Sequence, residues 1–243
     1  MSMLPGLEQA QSFISCHVRP AGRPTPPRRL AVTFSRQAGS GAWLVARELA
    51  GVLDKRAPAE GVKWTVFDKE LVEKILEDHN LSKRLAEFMP EDRVSMLDDM
   101  ITEVLGLHPP SWTLARSASD TILKLAELGN VILIGRGSVL ITAKLPHVLH
   151  VRLVGSIEHR IRRVMEQLKL ERKAAIEFIE RADRGHARYV REHFKAEIEN
   201  PLLYDLVLNT DRVDISFAAQ LIADTLLRVA GTPREAKPTN ATA

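Results

Sequence analysis

Short apolar runs alternate with longer stretches of helical period along most of this chain. The runs Leu30–Ser35, Lys63–Phe67, Val131–Gly135, Val148–Leu153 and Tyr204–Asn209 are β-branched or nearly continuously hydrophobic, as strands covered on both faces must be. Between them the spacing predicts helices over Ala42–Leu53, Lys69–Leu76, Glu91–Gly106 and Ser111–Leu128. A last helix over Ile215–Val229 carries Phe217, Leu221, Ile222 and Leu226 on one face. Strand and helix in alternation argue for an α/β protein whose parallel strands are joined by right-handed crossovers.

The ends break this pattern. Residues Arg19–Arg29 (RPAGRPTPPRR) hold Pro, Gly and Arg with almost nothing apolar and read as a linker. Before it, Met1–His17 is weakly amphipathic, and Leu4, Leu7, Phe13 and Ile14 suit packing on the domain or on a second copy of the chain. Gly231–Ala243 reads as a disordered polar tail. The expected division is an extension and linker over 1–29, a domain over 30–230 and a tail over 231–243.

Composition narrows the chemistry. The 243 residues carry 34 Lys+Arg against 31 Asp+Glu, a net charge of +3, with 45% hydrophobic residues, enough for a sizeable core. A lone cysteine, Cys16, excludes an internal disulfide and any multi-cysteine metal cage. With no secretory signal and no run of membrane-spanning length, a soluble cytoplasmic protein is expected.

In a parallel sheet, ligands bind outside the carboxyl ends of the strands, so the turns there come first. The first strand leads into Ser35-Arg36-Gln37-Ala38-Gly39-Ser40-Gly41-Ala42, a small-residue loop that opens a helix; its amides suit a phosphate, or form a tight turn with no ligand. No lysine follows its last glycine, as a strict phosphate loop requires. Asp68 follows the second strand as a helix cap or an acceptor contact. After the third, Gly135-Arg136-Gly137-Ser138 flanks a cationic fork with two glycines, suited to clamping a phosphate. Arg160, Arg162 and Arg163 follow the fourth strand. Arg181, Arg184, Arg188 and Arg191 recur at spacings of three, four and three, a stripe on one helix face that sequence spacing leaves largely unpaired. Only Tyr189 and Phe194 accompany it, which argues against a stacking platform for nucleic acid. The scattered histidines show no metal-ligand spacing, and no nucleophile motif is present. Phosphoryl transfer requires neither, because positioning and electrostatics supply most of that catalysis.

These blocks together, AVTFSRQAGSGAWLVARELA, VFDKELVEKI, VILIGRGSVLI, VLHVRLVGSIEHRIRRV, IERADRGHARYV and YDLVLNTDRVDISFAAQLI, resemble the cytidylate kinase-like family, a divergent branch of the nucleoside monophosphate kinases, over about residues 30–230. The resemblance implies a three-layer P-loop NTPase-type fold with a five-stranded parallel sheet and an arginine-rich helical lid. It implies transfer of the ATP γ-phosphoryl group, with Mg²⁺, to a monophosphate, that of cytidine by family name. Ser35, Gly39, Ser40 and Gly41 would hold donor phosphates, while Asp68 and Arg136 would meet the acceptor. Arg36, Arg181, Arg184 and Arg188 would carry catalytic charge, and Asn209-Thr210 would lie near the donor base. The partners expected are these two nucleotides, without membrane. Against a true cytidylate kinase the loop lysine falls on Gly41 or Ala42, and the Mg²⁺-binding hydroxyl on Ala42 or Trp43, leaving Arg36 to replace the charge. The aspartate after the third-strand arginine is Gly137. These departures keep open a non-catalytic nucleotide-binding module.

Overall fold

The computed structural model describes residues 5–17, 30–57, 62–78 and 113–229. The helix expected over Glu91–Gly106, the linker and the tail lie outside them. Strands β1 (Ala31–Arg36), β2 (Thr65–Phe67), β3 (Val131–Ile134), β4 (Val148–Val154) and β5 (Leu206–Asn209) form one parallel sheet in the order β2-β3-β1-β4-β5. The helices among the described residues are α1 (Pro5–His17), α2 (Ala42–Arg56), α3 (Lys69–Glu77), α4 (Thr113–Leu128), α5 (Ser138–Ile141), α6 (Ile157–Leu168), α7 (Arg172–Phe194) and α8 (Ile215–Val229).

The alternation of side chains along each strand divides the core into two layers. Val32 and Phe34 of β1 and Ile132 and Ile134 of β3 face α2 and α8. Ala31 of β1 and Val131 and Leu133 of β3 face α3, α4 and α5. The sheet is therefore the middle of a three-layer α/β sandwich. Both faces of β1 are covered, which explains its unbroken apolar run. Strand β5 begins two residues later than its hydrophobic pattern suggests, because Pro201–Leu203 form a 3₁₀ turn ahead of it.

Of the two packings open to the N-terminal segment, the structure shows the first: α1 lies on the domain. Phe13 and Ile14 are buried in the layer with Phe67, Leu71 and Ile75, and the Phe13 and Phe67 rings meet edge to face at 5.4 Å.

Helices α6 and α7 sit beyond the carboxyl edge of the sheet around a smaller cluster. Ile161 and Val164 meet Ala175 and Ile179 there, together with Ala38 of the loop after β1. That cluster brings the arginine-bearing helix over the site.

Candidate functional site

Strand β1 ends with Ser35 and Arg36 beside β3, whose last residues pass into Gly135-Arg136-Gly137. All three have left-handed backbone, with φ of 80°, 53° and 70°. The glycines are needed for space as well as angle. A Cβ on Gly135 would stand 2.5 Å from Arg36 Nη1, and one on Gly137 would overlap the Phe194 ring. The turn thus lets the Arg36 guanidinium lie on the backbone of Gly135 and presents Arg136, whose Nη2 pairs with Glu73 of α3 and whose guanidinium lies 5.7 Å from the Tyr189 ring centroid.

Above this turn α7 closes a cavity of about 340 Å³. Arg36, Lys69, Arg136, Arg181 and His186 line it, the hydroxyl-bearing residues Ser35, Ser138, Tyr189 and Tyr204 contribute to its wall, and no described carboxylate does. Burial and the neighbouring Arg36 hold the His186 imidazole down at about 4, so it is neutral near pH 7. Burial pushes the Tyr189 and Tyr204 phenols up, so both stay protonated and can donate. Burial also lowers the Arg36 guanidinium from its usual value, against the attraction of Asp183 and Asp68.

A buried arginine braces the floor. Arg152 of β4, 3% exposed, donates from Nη1 to Ser35 Oγ at 2.8 Å and from Nη2 to Glu199 at 2.7 Å. Its guanidinium lies 5.5 Å from the Tyr204 ring, whose hydroxyl donates to the Ile198 carbonyl at 2.7 Å and lies 3.1 Å from Ser35 Oγ. Ser35 is thereby fixed on the cavity wall by two residues distant in sequence.

The loop after β1 is held from outside. Gly39 and Gly41 take φ of 78° and 85°. Arg160 Nη1 donates to the Ala38 carbonyl at 3.2 Å, and Arg163 Nη1 donates to that of Gly39 at 3.0 Å. The Ala38 N–H donates to Asp183 Oδ1 of α7 at 2.7 Å, while Asp183 Oδ2 accepts from Arg160 Nη1 at 2.6 Å. Ser40 is 1% exposed and its hydroxyl has no hydrogen-bond partner among the described residues.

Of the residues singled out in the sequence, Ser35, Arg36, Arg136 and Arg181 meet around the cavity; Gly39, Ser40, Gly41, Asp68, Arg184 and Arg188 do not line it. Asp68 caps α3, its Oδ1 accepting from the Leu71 N–H at 2.9 Å. The stripe on α7 is better paired than its spacing suggests: Arg184 lies 3.6 Å from Glu180 one turn earlier, and Arg191 forms a two-pronged bridge with Glu197, which folds back from beyond the helix end. Tyr189 and Phe194 are half-buried against Arg136 and Gly137 and are not an exposed platform. Sequence reasoning missed Arg152, Asp183, His186 and Tyr204. The signal for Arg152 was there, a charge inside the apolar run Val148–Val154, where burial requires partners.

Chemically, the cavity can hold a phosphate ester with the anion against the guanidinium groups and the remainder against Phe34, Leu140 and Leu203. For Mg²⁺ the fit is poor. The loop continues into Ala42 and Trp43, which carry neither ammonium nor hydroxyl, and no cluster of three His, Cys, Asp or Glu among the described residues could hold a metal.

A family model described as the cytidylate kinase-like family matches residues 31–212. No functionally curated protein matches with significance. A crystal structure of an uncharacterized protein from Eubacterium ventriosum is similar with a TM-score of 0.56 at 18% identity, over 82% of this chain and 98% of that one. The crystal structure of APE1195 aligns with a TM-score of 0.44 at 18% identity, over 83% of this chain and 96% of that one. The first of these likenesses concerns the fold alone. With the family match, the five parallel strands and their covering helices constitute a P-loop-type α/β fold.

Proposed function

The chain belongs to the cytidylate kinase-like family, and from that premise we propose that it is a phosphotransferase of the nucleoside monophosphate kinase type. It moves the γ-phosphoryl group of ATP to a monophosphate seated in the arginine-lined cavity, with cytidine monophosphate the acceptor that the family name suggests. The observation that carries the reading is the cavity wall: Arg36, Arg136, Arg181 and Lys69 converge there with no described carboxylate among the lining residues. Such an arrangement disfavours a cationic ligand and favours a phosphate monoester.

The residues divide the work by position. Arg136, anchored by Glu73 and Tyr189, orients the acceptor phosphate. Arg36 stands between the cavity and the loop, against Gly135 on one side and within the field of Asp183 on the other. Its charge lies where a group passing from loop to cavity builds up negative charge. Arg181 closes from α7, the element that serves as the lid. Arg184 and Arg188, exposed on the same helix, reach the phosphates only if α7 moves. The amides of Gly39 and Gly41, with the Ser40 hydroxyl, serve the donor, while the Ser40 N–H closes the loop by donating to the Gln37 carbonyl at 3.1 Å. Because the loop has Ala42 and Trp43 where a Mg²⁺-binding hydroxyl is expected, no step is assigned to a protein-held metal.

A second reading, a nucleotide-binding module without turnover, is favoured by one observation: the loop carries Ala42 and Trp43 in place of a lysine and a hydroxyl. A coupled assay separates the two. The protein is incubated with ATP, Mg²⁺ and each nucleoside monophosphate in turn, and ADP formation is followed; turnover with at least one acceptor is expected. Saturable ATP binding by calorimetry with no turnover on any acceptor would overturn the kinase reading and leave the module. Absence of both turnover and binding removes both.

A further inference from the structure

Asp183 stands where an anion would. Its carboxylate reaches from α7 to the mouth of the loop, where Oδ1 takes the Ala38 N–H at 2.7 Å and Oδ2 takes Arg160 Nη1 at 2.6 Å. Arg36 lies within its electrostatic reach. Arg160 is itself buried and held in place, with Nε donating to the Gly155 carbonyl at 3.1 Å and Nη1 to that of Ala38 at 3.2 Å. A backbone amide, a fixed buried guanidinium and a second guanidinium nearby make up an anion site, and here the occupant is one of the chain's own carboxylates.

We propose that Asp183 is a tethered competitor for the loop: its carboxylate holds the donors that a phosphate group needs and must leave before such a group binds. The proposal rests on the reading of the loop as the donor side. A carboxylate brings one negative charge and two acceptor oxygens, whereas a diphosphate brings more of both. The exchange therefore favours the incoming ligand once it is concentrated enough, and it leaves neither Arg160 nor the Ala38 amide without a partner. The exchange also reaches the cavity. Arg181 lies two residues before Asp183 and His186 three after it, on the same helix and on the cavity wall. A displacement of α7 that frees the loop thus reshapes the acceptor side, so binding at the two places is coupled in both directions.

The test uses the full chain, ¹⁵N-labelled, with the Ala38 amide resonance as a local reporter during titration with inorganic pyrophosphate. Wild type is compared with Asp183→Asn and Asp183→Ser, each of which keeps an oxygen acceptor but removes the charge. The Kd read at Ala38 is expected to fall at least fivefold in the variants. An equal or weaker Kd in folded variants overturns the competitor while leaving the donor side in place. Silence of the Ala38 resonance in all three proteins overturns the donor-side reading, and the competitor with it. If neither variant folds, as judged by near-ultraviolet circular dichroism, the carboxylate is a structural brace and the proposal fails.

Discussion

His186 shows what burial beside a cation cluster does to an imidazole. Burial disfavours its charged form most, and Arg36 from β1, Arg152 from β4 and Lys69 from α3 add to this, with Asp183 of its own helix opposing them. The imidazole therefore stays unprotonated in the folded chain down to about 4, while in the unfolded chain it protonates near 6.5. Between those values the unfolded state binds the extra proton, so folding stability must fall as pH falls through that window. The loss is on the order of 2 kcal/mol. Urea unfolding of wild type and His186→Gln at several pH values between 7 and 4 is expected to show a flatter profile for the variant, and parallel profiles would remove His186 as the cause. Local chemistry made part of this site legible in the sequence. Arg36 and Arg136 stand in small-residue turns at strand ends, and Arg181 in a helical stripe. Arg152 reaches Ser35 across 117 residues and Asp183 reaches Ala38 across 145, and no spacing rule spans such separations.

At the scale of elements, the loop and the helix after it make opposite demands on glycine. Gly39 has φ of 78°, and a Cβ there would stand 2.7 Å from the Arg160 carbonyl oxygen, which is backbone of α6 and cannot swing aside. Gly51 lies within α2 with nothing inside 4 Å. Gly39→Ala is expected to cost about 1–3 kcal/mol through strain and overlap. Gly51→Ala is expected to add about 0.5–1 kcal/mol through helix propensity. Chemical denaturation of the pair checks both signs, and a neutral Gly39→Ala would mean that the loop is not braced by α6 as described. The strands and most helices could be read ahead because strands buried on both faces are apolar throughout and amphipathic helices keep their period. The position of α6 and α7 could not: their cluster around Ile161 and Ile179 forms on Ala38, far from both in sequence.

At the scale of the whole molecule, α1 extends the layer formed by α3 and α4. Phe13, 4% exposed, fills a position against Phe67. Phe13→Ala is expected to cost about 3 kcal/mol in urea unfolding, and a change within a few tenths would show that α1 docks without supporting the sheet. The apolar residues of that segment were visible in the sequence, but the surface that receives them is assembled from β2 and α3. The sheet order has a further consequence for synthesis on the ribosome. Strands β2 and β3 pair with each other, as do β4 and β5, and only β1 joins the two pairs, with Ala31 opposite Val131 on one side and Val148 on the other. The strand made first thus waits longest for its first neighbour. At a synthesis rate of about 5–20 residues per second, its apolar run waits roughly 5–20 seconds for its first partner strand to be made. During that interval the nascent segment Leu30–Arg36 is open to chaperones and to misplaced pairing, so errors in biogenesis should concentrate there.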